Sequence, residues 1–443
     1  MKYYLLLLCF VSFSLACNSS KKLKETTSLS IQQRIETSVI FQKGFTGVKI
    51  VDLENKQIIL EKNEDKYFTA ASNTKILSLY ICSKIISDSI PAVEYIVRGD
   101  SLIFWGTGDP SFLNPKLTND STIYHFFKNR KEKLFFSSDN FQDHVYGPGW
   151  AWDDYFYSFQ AEKSPFPIYG NLVLFKKLKD KKGYVITPKF FEKHFHHNEK
   201  LKVHNARVIR QRTSNVFEFN KTFADGKSFT KYLPFKYTDT LFTQLLSEAI
   251  EKKVSLYPFK IPTTVDRKRK YSIPSKLLYQ QMMQESDNFI AEQLLLLSAN
   301  ELSDTLSFKK AIDFAKKNLF DQLPDQPIMR DGSGLSRYNL MTPRSLVSVL
   351  QQLFQDIPEE ELLPLFSVAG QNGSLKNWYD KKDPIFLYGK TGSMSNVFCL
   401  SGYLITQKGK KLAFSFMHNN FPGSSKAHRK EMSKILKDIY LEY

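Results

Sequence analysis

Cysteine is scarce in this chain, with only Cys9, Cys17, Cys82 and Cys399 among 443 residues. Cys9 and Cys17 belong to the extreme N-terminal segment, so two thiols are left for the folded part and a disulfide framework is excluded. Cys82 and Cys399 lie in apolar runs and read as buried thiols. The N-terminal apolar stretch, Leu5 to Leu15, is too short to span a bilayer comfortably. No internal repeat and no long low-complexity tract occur, which excludes a repeat architecture. A metal site also lacks ligands: His194-Phe195-His196-His197 has no partner cluster and reads as solvated surface, so neither metal nor cofactor is expected. Acidic side chains are the minority charge, 45 against 62 basic ones, leaving a formal net charge of +17. With 37 Phe and 22 Tyr, that charge raises the question of nucleic-acid binding. The export signal argues against it, and the charge reads as a solvated Lys-rich surface suited to an anionic envelope or an acidic polymer.

That signal opens with Lys2, continues through the apolar stretch and ends in Ser14-Leu15-Ala16-Cys17. Residues 1–16 read as a secretory signal with a lipobox, in which Ser14 stands where an aliphatic residue is usual. Cys17 is then the lipidated first mature residue, and 17–30, with Lys21-Lys22-Leu23-Lys24, a flexible tether. The expected location is the cell envelope, as a periplasmic lipoprotein anchored to a membrane. A hydrophobic content of 42% lets the rest bury a sizeable core in two or three domains.

Three short segments carry the chemistry: Ser72-Asn73-Thr74-Lys75, Ser286-Asp287-Asn288 and Lys390-Thr391-Gly392. They supply a nucleophile, an amine to activate it, a polar proton-relay pair and a cationic, anion-binding strand, the equipment of a serine acyl-transferase acting on a C-terminal carboxylate. Singly they are weak, since Ser-x-x-Lys recurs at Ser19, Ser228 and Ser307, and Ser-Asp-Asn at Ser138. Context separates them. Ser72 precedes an apolar run from Thr74 to Cys82, a buried helix that sets Lys75 over Ser72 at i, i+3. Burial would lower the Lys75 pKa and make it a base. Ser286 lies at a break between two helical patterns, whereas Ser138 follows the strand-like Lys133-Leu134-Phe135-Phe136 and reads as an ordinary turn. Lys390 sits on a strand followed by Val397 to Ile405 and Leu412 to Met417, an antiparallel meander whose edge can meet a carboxylate while Gly392 lets the backbone come close.

Those strands need partners, and the hairpin Gly47 to Leu60, turning at Glu54-Asn55-Lys56, is the available match. The expected domain is therefore discontinuous, 31–96 with 272–443, its sheet covered by the Ser72 helix and a final helix near Lys426 to Tyr440. Residues 97–271 form a strand-rich insertion closed by a basic linker at Asp266-Arg267-Lys268-Arg269-Lys270. The fold class is α/β (α+β), an antiparallel sheet flanked by helices.

With these segments in order, the chain resembles the class C low-molecular-mass penicillin-binding proteins, the D-alanyl-D-alanine carboxypeptidase/endopeptidase family. Gly106-Thr107-Gly108-Asp109-Pro110, Gly149-Trp150-Ala151-Trp152-Asp153-Asp154, Asp331-Gly332-Ser333-Gly334-Leu335-Ser336-Arg337 and Val368-Ala369-Gly370 look like family segments in family order. The resemblance implies a penicillin-binding/β-lactamase-like transpeptidase domain, peptidoglycan stem peptides as substrate and β-lactams as inhibitors. It makes Ser72 the acylated nucleophile, Lys75 its base, Ser286 a relay to the leaving amine and Asn288 a holder of the substrate amide. Lys390, Thr391 and Gly392 would receive the terminal carboxylate, and the N–H groups of Ser72 and Ser393 would form the oxyanion hole. Whether Lys75 or a relay through Ser286 and Lys390 moves each proton is open at this level. Family members that cleave diaminopimelate peptides read that side chain with an Asp and an aromatic five positions on; Asp154 and Phe159 have that spacing, and Arg337, Met394 and Ser395 join the same pocket. Ala70 departs from the proline common before the nucleophile, Pro165 to Asn171 matches loosely, and 176–271 shows no clear likeness.

The competing readings are a serine β-lactamase and a non-catalytic wall-binding lipoprotein. The Glu-x-x-x-Asn arrangement that class A β-lactamases use for deacylation occurs nowhere, and all three motifs that a non-catalytic relative would lose are intact.

Overall fold

The structure, a computed structural model, describes residues 30–117, 121–178, 184–201, 208–220, 228–260 and 265–443. The expected signal 1–16 and Cys17, with nearly all of the tether, lie outside them. Among the described residues no helix is long and apolar enough to cross a membrane.

Both ends of the chain build one six-stranded sheet. Its strands are β1 (Phe45–Asp52), β2 (Ile58–Lys62), β3 (Ser367–Val368), β4 (Leu387–Met394), β5 (Val397–Ile405) and β6 (Lys411–Asn419), in the spatial order β3-β4-β5-β6-β1-β2. The expected hairpin is β1 and β2, and β4 to β6 form the meander, with β6 against β1 in an antiparallel register from Phe45↔Asn419 to Asp52↔Leu412. These strands read as nearly unbroken apolar runs because both faces are covered. Val397, Cys399, Tyr403, Ala413 and Met417 face one core, while Phe398, Leu400, Leu404, Leu412, Phe414 and Phe416 face the other, the period of two that a pleated strand imposes.

Six helices frame the sheet and the site: α1 (Ile31–Thr37), α2 (Thr74–Ile85), α3 (Ser275–Gln284), α4 (Asn288–Ser303), α5 (Pro343–Asp356) and α6 (Lys426–Glu442). The amphipathic stripe Met432, Ile435, Leu436 and Ile439 of α6 joins Ile31 and Ile35 of α1 over the outer face. On the inner face the expected cover by the Ser72 helix needs correcting. The helix lying directly against β1 and β6 is α5, and α2 packs against α5 and α4, with the Ser72 turn itself resting on β4 and β5. Every residue of α2 from Thr74 to Cys82 is buried, as is every residue of α4 from Phe289 to Asn300. Helices apolar all round belong in an interior.

Between β2 and β3 the chain leaves this domain for a second core. Its five-stranded sheet runs Val254–Leu256, Lys133–Phe136, Ser101–Gly106, Ser89–Arg98, Lys268–Pro274 in space, with two three-stranded sheets further out. The boundaries expected at 97 and 271 both fall inside strands, Ser89–Arg98 and Lys268–Pro274, which pair with each other as the chain enters and leaves. The basic segment at its end is likewise no linker. Arg269 on that strand and Arg267 just before it reach the buried Glu94 at 3.0 and 3.1 Å, a pairing that a buried carboxylate requires. Much of the chain's phenylalanine fills this second core, including Phe104, Phe127, Phe136, Phe166, Phe175 and Phe242. Each buried ring contributes about 2–3 kcal/mol.

Candidate active site

Ser72 occupies the short turn Ala71–Asn73 that leads into α2. Ala71 there takes φ +47, a conformation that costs a non-glycine residue energy and needs the surroundings to impose it. Two glycines do so. A Cβ on Gly334 would stand 1.9 Å from the Ala71 carbonyl oxygen, and one on Gly392 would stand 2.6 Å from that of Ala70. Asn73 ties the turn to the sheet, donating to Ser401 Oγ at 2.8 Å.

Lys75, one helical turn on, donates to Ser72 Oγ at 3.0 Å, Asn288 Oδ1 at 2.6 Å and the Ser333 carbonyl at 2.6 Å. Three acceptors match the three protons of an ammonium, so the amine is fixed in direction, and its lone pair, once a proton leaves, faces the hydroxyl. Burial lowers its pKa to about 8, against the opposing pull of Asp331, Asp287 and Glu292.

Ser286 stands at the expected corner between α3 and α4, with φ +58. Its Oγ accepts from Lys390 Nζ at 2.8 Å, and Lys390 also donates to the Thr391 carbonyl at 2.9 Å. Lys390 is buried, and burial first, then the charge of Lys75, drives its pKa well below the usual lysine value. Asp287 caps α4 through the Ile290 N–H at 3.2 Å and takes Lys116 of the insertion at 2.9 Å. Asn288 faces both ways, accepting from Lys75 and donating to the Phe159 carbonyl at 3.0 Å.

Ser72, Asp154, Phe159, Asn288, Arg337, Ser393, Met394 and Ser395 line one cleft of about 610 Å³. Arg337 donates to the Ser395 carbonyl at 3.0 Å, and Phe159 stacks on Tyr157. Burial, then the charge of Asp153, raises the Asp154 pKa. The Thr391 hydroxyl donates to Ser374 Oγ at 2.7 Å. Ser138 is held elsewhere, on Asp239 of the insertion, in the turn expected of it. Cys82 and Cys399 are buried, and burial pushes both thiols up to about 12.

The sequence reading missed two supports. Glu292 Oε1 accepts the N–H groups of Gly332 and Ser333 at 3.0 and 2.7 Å. Asp331 accepts those of Gly334 and Ser336 at 2.8 and 2.6 Å, and Trp150 Nε1 at 2.8 Å. Together they hold the loop whose Ser333 carbonyl receives Lys75. A signal for Glu292 existed: a carboxylate inside an otherwise apolar helix is seldom buried without a task. Ser374, beside Thr391, had no such signal.

Set beside known proteins, residues 29–439 match the profile of the D-Ala-D-Ala carboxypeptidase 3 (S13) family. The chain is 24% identical over 430 residues to the D-alanyl-D-alanine carboxypeptidase DacB of Haemophilus influenzae, covering 88% of this chain and 89% of that protein. The crystal structure of penicillin binding protein 4 from Haemophilus influenzae superposes with a TM-score of 0.72 at 21% identity, covering 91% of this chain and 98% of that one. The same protein complexed with a β-lactam superposes at 0.67 with 19% identity over the same shares.

Proposed function

This chain belongs to the D-Ala-D-Ala carboxypeptidase 3 (S13) family, and from that we propose that it is a penicillin-binding serine D-Ala-D-Ala carboxypeptidase/endopeptidase acting on peptidoglycan peptides through an acyl-enzyme on Ser72. The observation that carries the reading is the Lys75 amine 3.0 Å from Ser72 Oγ, desolvated and aimed by two further acceptors.

In the forward step Lys75 removes the Ser72 proton as Oγ attacks the carbonyl of the penultimate D-alanine. The N–H groups of Ser72 and Ser393 receive the oxyanion. The C–N bond breaks, and the leaving amine takes a proton through Ser286, which Lys390 holds by a 2.8 Å hydrogen bond. Asn288 orients the substrate amide, while Lys390 and Thr391, with the close backbone at Gly392, receive the terminal carboxylate. An arriving carboxylate opposes the burial that depresses the Lys390 pKa and favours its charged form. Water then releases the acyl group. Asp154 and Phe159, with Arg337, Met394 and Ser395 across the cleft, suit the charged end of a diaminopimelate side chain.

Fluorescent penicillin is the direct test, with the form beginning after Cys17 and its Ser72→Ala variant. Stable covalent label on the first and none on the second is expected. No label on the unmutated protein would sink the acyl-enzyme, and label that is rapidly lost would indicate a β-lactamase. Mass spectrometry of digested muropeptides then separates removal of terminal D-alanine from cutting of cross-links.

A placement of the enzyme at a membrane is supported by Ser14-Leu15-Ala16-Cys17. We read Cys17 as the lipidated residue of a periplasmic lipoprotein. Cells fed an alkyne fatty acid should label the full chain and not Cys17→Ala; equal labelling of both, or of neither, removes the anchor.

A further inference from the structure

Behind the carboxylate-binding strand a row of hydroxyls runs from Thr391 to Ser374 and Ser367, the last two of which the reaction above leaves unused. Thr391 Oγ1 donates to Ser374 Oγ at 2.7 Å. Ser374 Oγ lies 3.3 Å from Ser367 Oγ, and the Ser374 backbone N–H donates to that same oxygen at 3.2 Å. Ser367 Oγ ends the row by donating to the Gln284 carbonyl at 3.1 Å, at the end of α3 just before Ser286.

The row is built into the fold. Ser367 is buried, and the pairing of β3 with β4 sets it beside Gly389, next to Lys390. Gly373 turns at φ +55, and a Cβ there would meet Ser367 Oγ at 2.4 Å and the Gln284 oxygen at 2.7 Å. Glycine is therefore required to bring Ser374 across. Asn372 Oδ1 accepts the Val368 N–H at 2.8 Å, and the Gly370 N–H donates to the Leu375 carbonyl at 3.1 Å, closing the loop that presents Ser374.

Counting protons gives the row a direction. A hydroxyl has one proton to donate and two lone pairs. Ser367 donates its proton to the Gln284 carbonyl, so between Ser374 and Ser367 the donor is Ser374. Thr391 donates to Ser374 in turn. When an anion reaches Thr391, the Thr391 proton turns to it, and Ser374 turns its own proton from Ser367 to Thr391. A hydroxyl that is itself receiving a hydrogen bond is a stronger donor.

We propose that Ser374 is a positioning residue for the carboxylate end of the substrate, acting through Thr391 and aimed by Ser367 and the Gln284 carbonyl. The inference rests on the carboxypeptidase reading, because it takes the anion to be the terminal carboxylate of a peptide or the equivalent group of a penicillin.

The test compares acylation by benzylpenicillin with acylation by its methyl ester, which keeps the ring and lacks the anion. Ser374→Ala should slow acylation by the acid roughly tenfold and leave the ester within about twofold. Ser374→Thr, which keeps the hydroxyl, should restore the acid rate. Against a peptide ending in D-Ala-D-Ala, the alanine variant should raise KM more than it lowers kcat. A parallel fall with acid and ester, an unchanged acid rate, or no recovery with threonine would overturn the proposal. If the unmutated protein takes no label, this proposal and the carboxypeptidase reading fall together; a labelled protein indifferent to Ser374 removes the proposal alone.

Discussion

Lys75 has three carboxylates in its electrostatic surroundings, Asp331, Asp287 and Glu292, yet burial outweighs them and brings its pKa to about 8. The balance sets when the base is ready, because only the neutral amine can take the Ser72 proton. Penicillin acylation should therefore rise with pH and inflect near the pKa of about 8. Glu292 offers a way to move that inflection. Its own pKa is pushed up by burial and by Asp331, while Lys163 and the Ser333 hydrogen bonds oppose the rise, and its charge is among those that raise the Lys75 pKa. Glu292→Gln keeps an oxygen for the Gly332 and Ser333 N–H groups and removes the charge. The ammonium of Lys75 then loses a stabilising neighbour. The acylation profile should shift to lower pH by roughly half a unit or more. An unmoved inflection, or one displaced to higher pH in stopped-flow acylation, would contradict this account of the site.

At the scale of elements, α4 joins the parts that sequence periodicity treats separately. Asn288 donates to the Phe159 carbonyl, Gln293 Nε2 to the carbonyls of Gly108 and Ser164 at 2.9 Å each, and Asn300 to Glu94 at 3.1 Å. The polar residues of an otherwise apolar helix are thus the bolts between the insertion and the peptidase domain. Local signals sufficed for α2, for the corner at Ser286 and for the meander, because each depends on a run of neighbouring residues. They sufficed also to set Ser138 aside as a turn. Ser374 was not legible in the same way, since its partners lie on distant segments that only the folded chain brings close, and the carboxylate inside apolar α4 flagged Glu292 without showing what it holds. The start of the strand Lys268–Pro274 was misread for a related reason: Arg267 and Arg269 look like part of a basic linker until Glu94 is placed beneath them. The position of α5 was more accessible, with Thr342 capping it, Pro343 in its first turn and Leu346, Val349, Leu350 and Leu353 along one side.

Across the whole molecule, the insertion supplies a wall of the cleft as well as bulk. Arg210, on an outer strand and fully buried, donates to the carbonyls of Pro234 at 2.8 Å, Gln211 at 2.9 Å and Tyr155 at 3.2 Å. Its guanidinium also lies 5.3 Å from the Tyr155 ring. Tyr155 immediately follows Asp154, so the outer sheet grips the segment proposed to read the substrate's side chain, while Ser72, Lys75 and Lys390 stand on elements of the other domain. Arg210→Met keeps much of the volume and removes every donor, leaving buried carbonyls unpaired at a cost of roughly 3 kcal/mol. Thermal unfolding should register that loss. The functional consequence should be selective: turnover of a diaminopimelate muropeptide falls several-fold in kcat/KM, while penicillin acylation, which depends on the other domain, stays within about twofold. An equal fall in both would mean that Arg210 supports the fold as a whole, and an unchanged muropeptide rate would detach the 151–160 segment from substrate recognition.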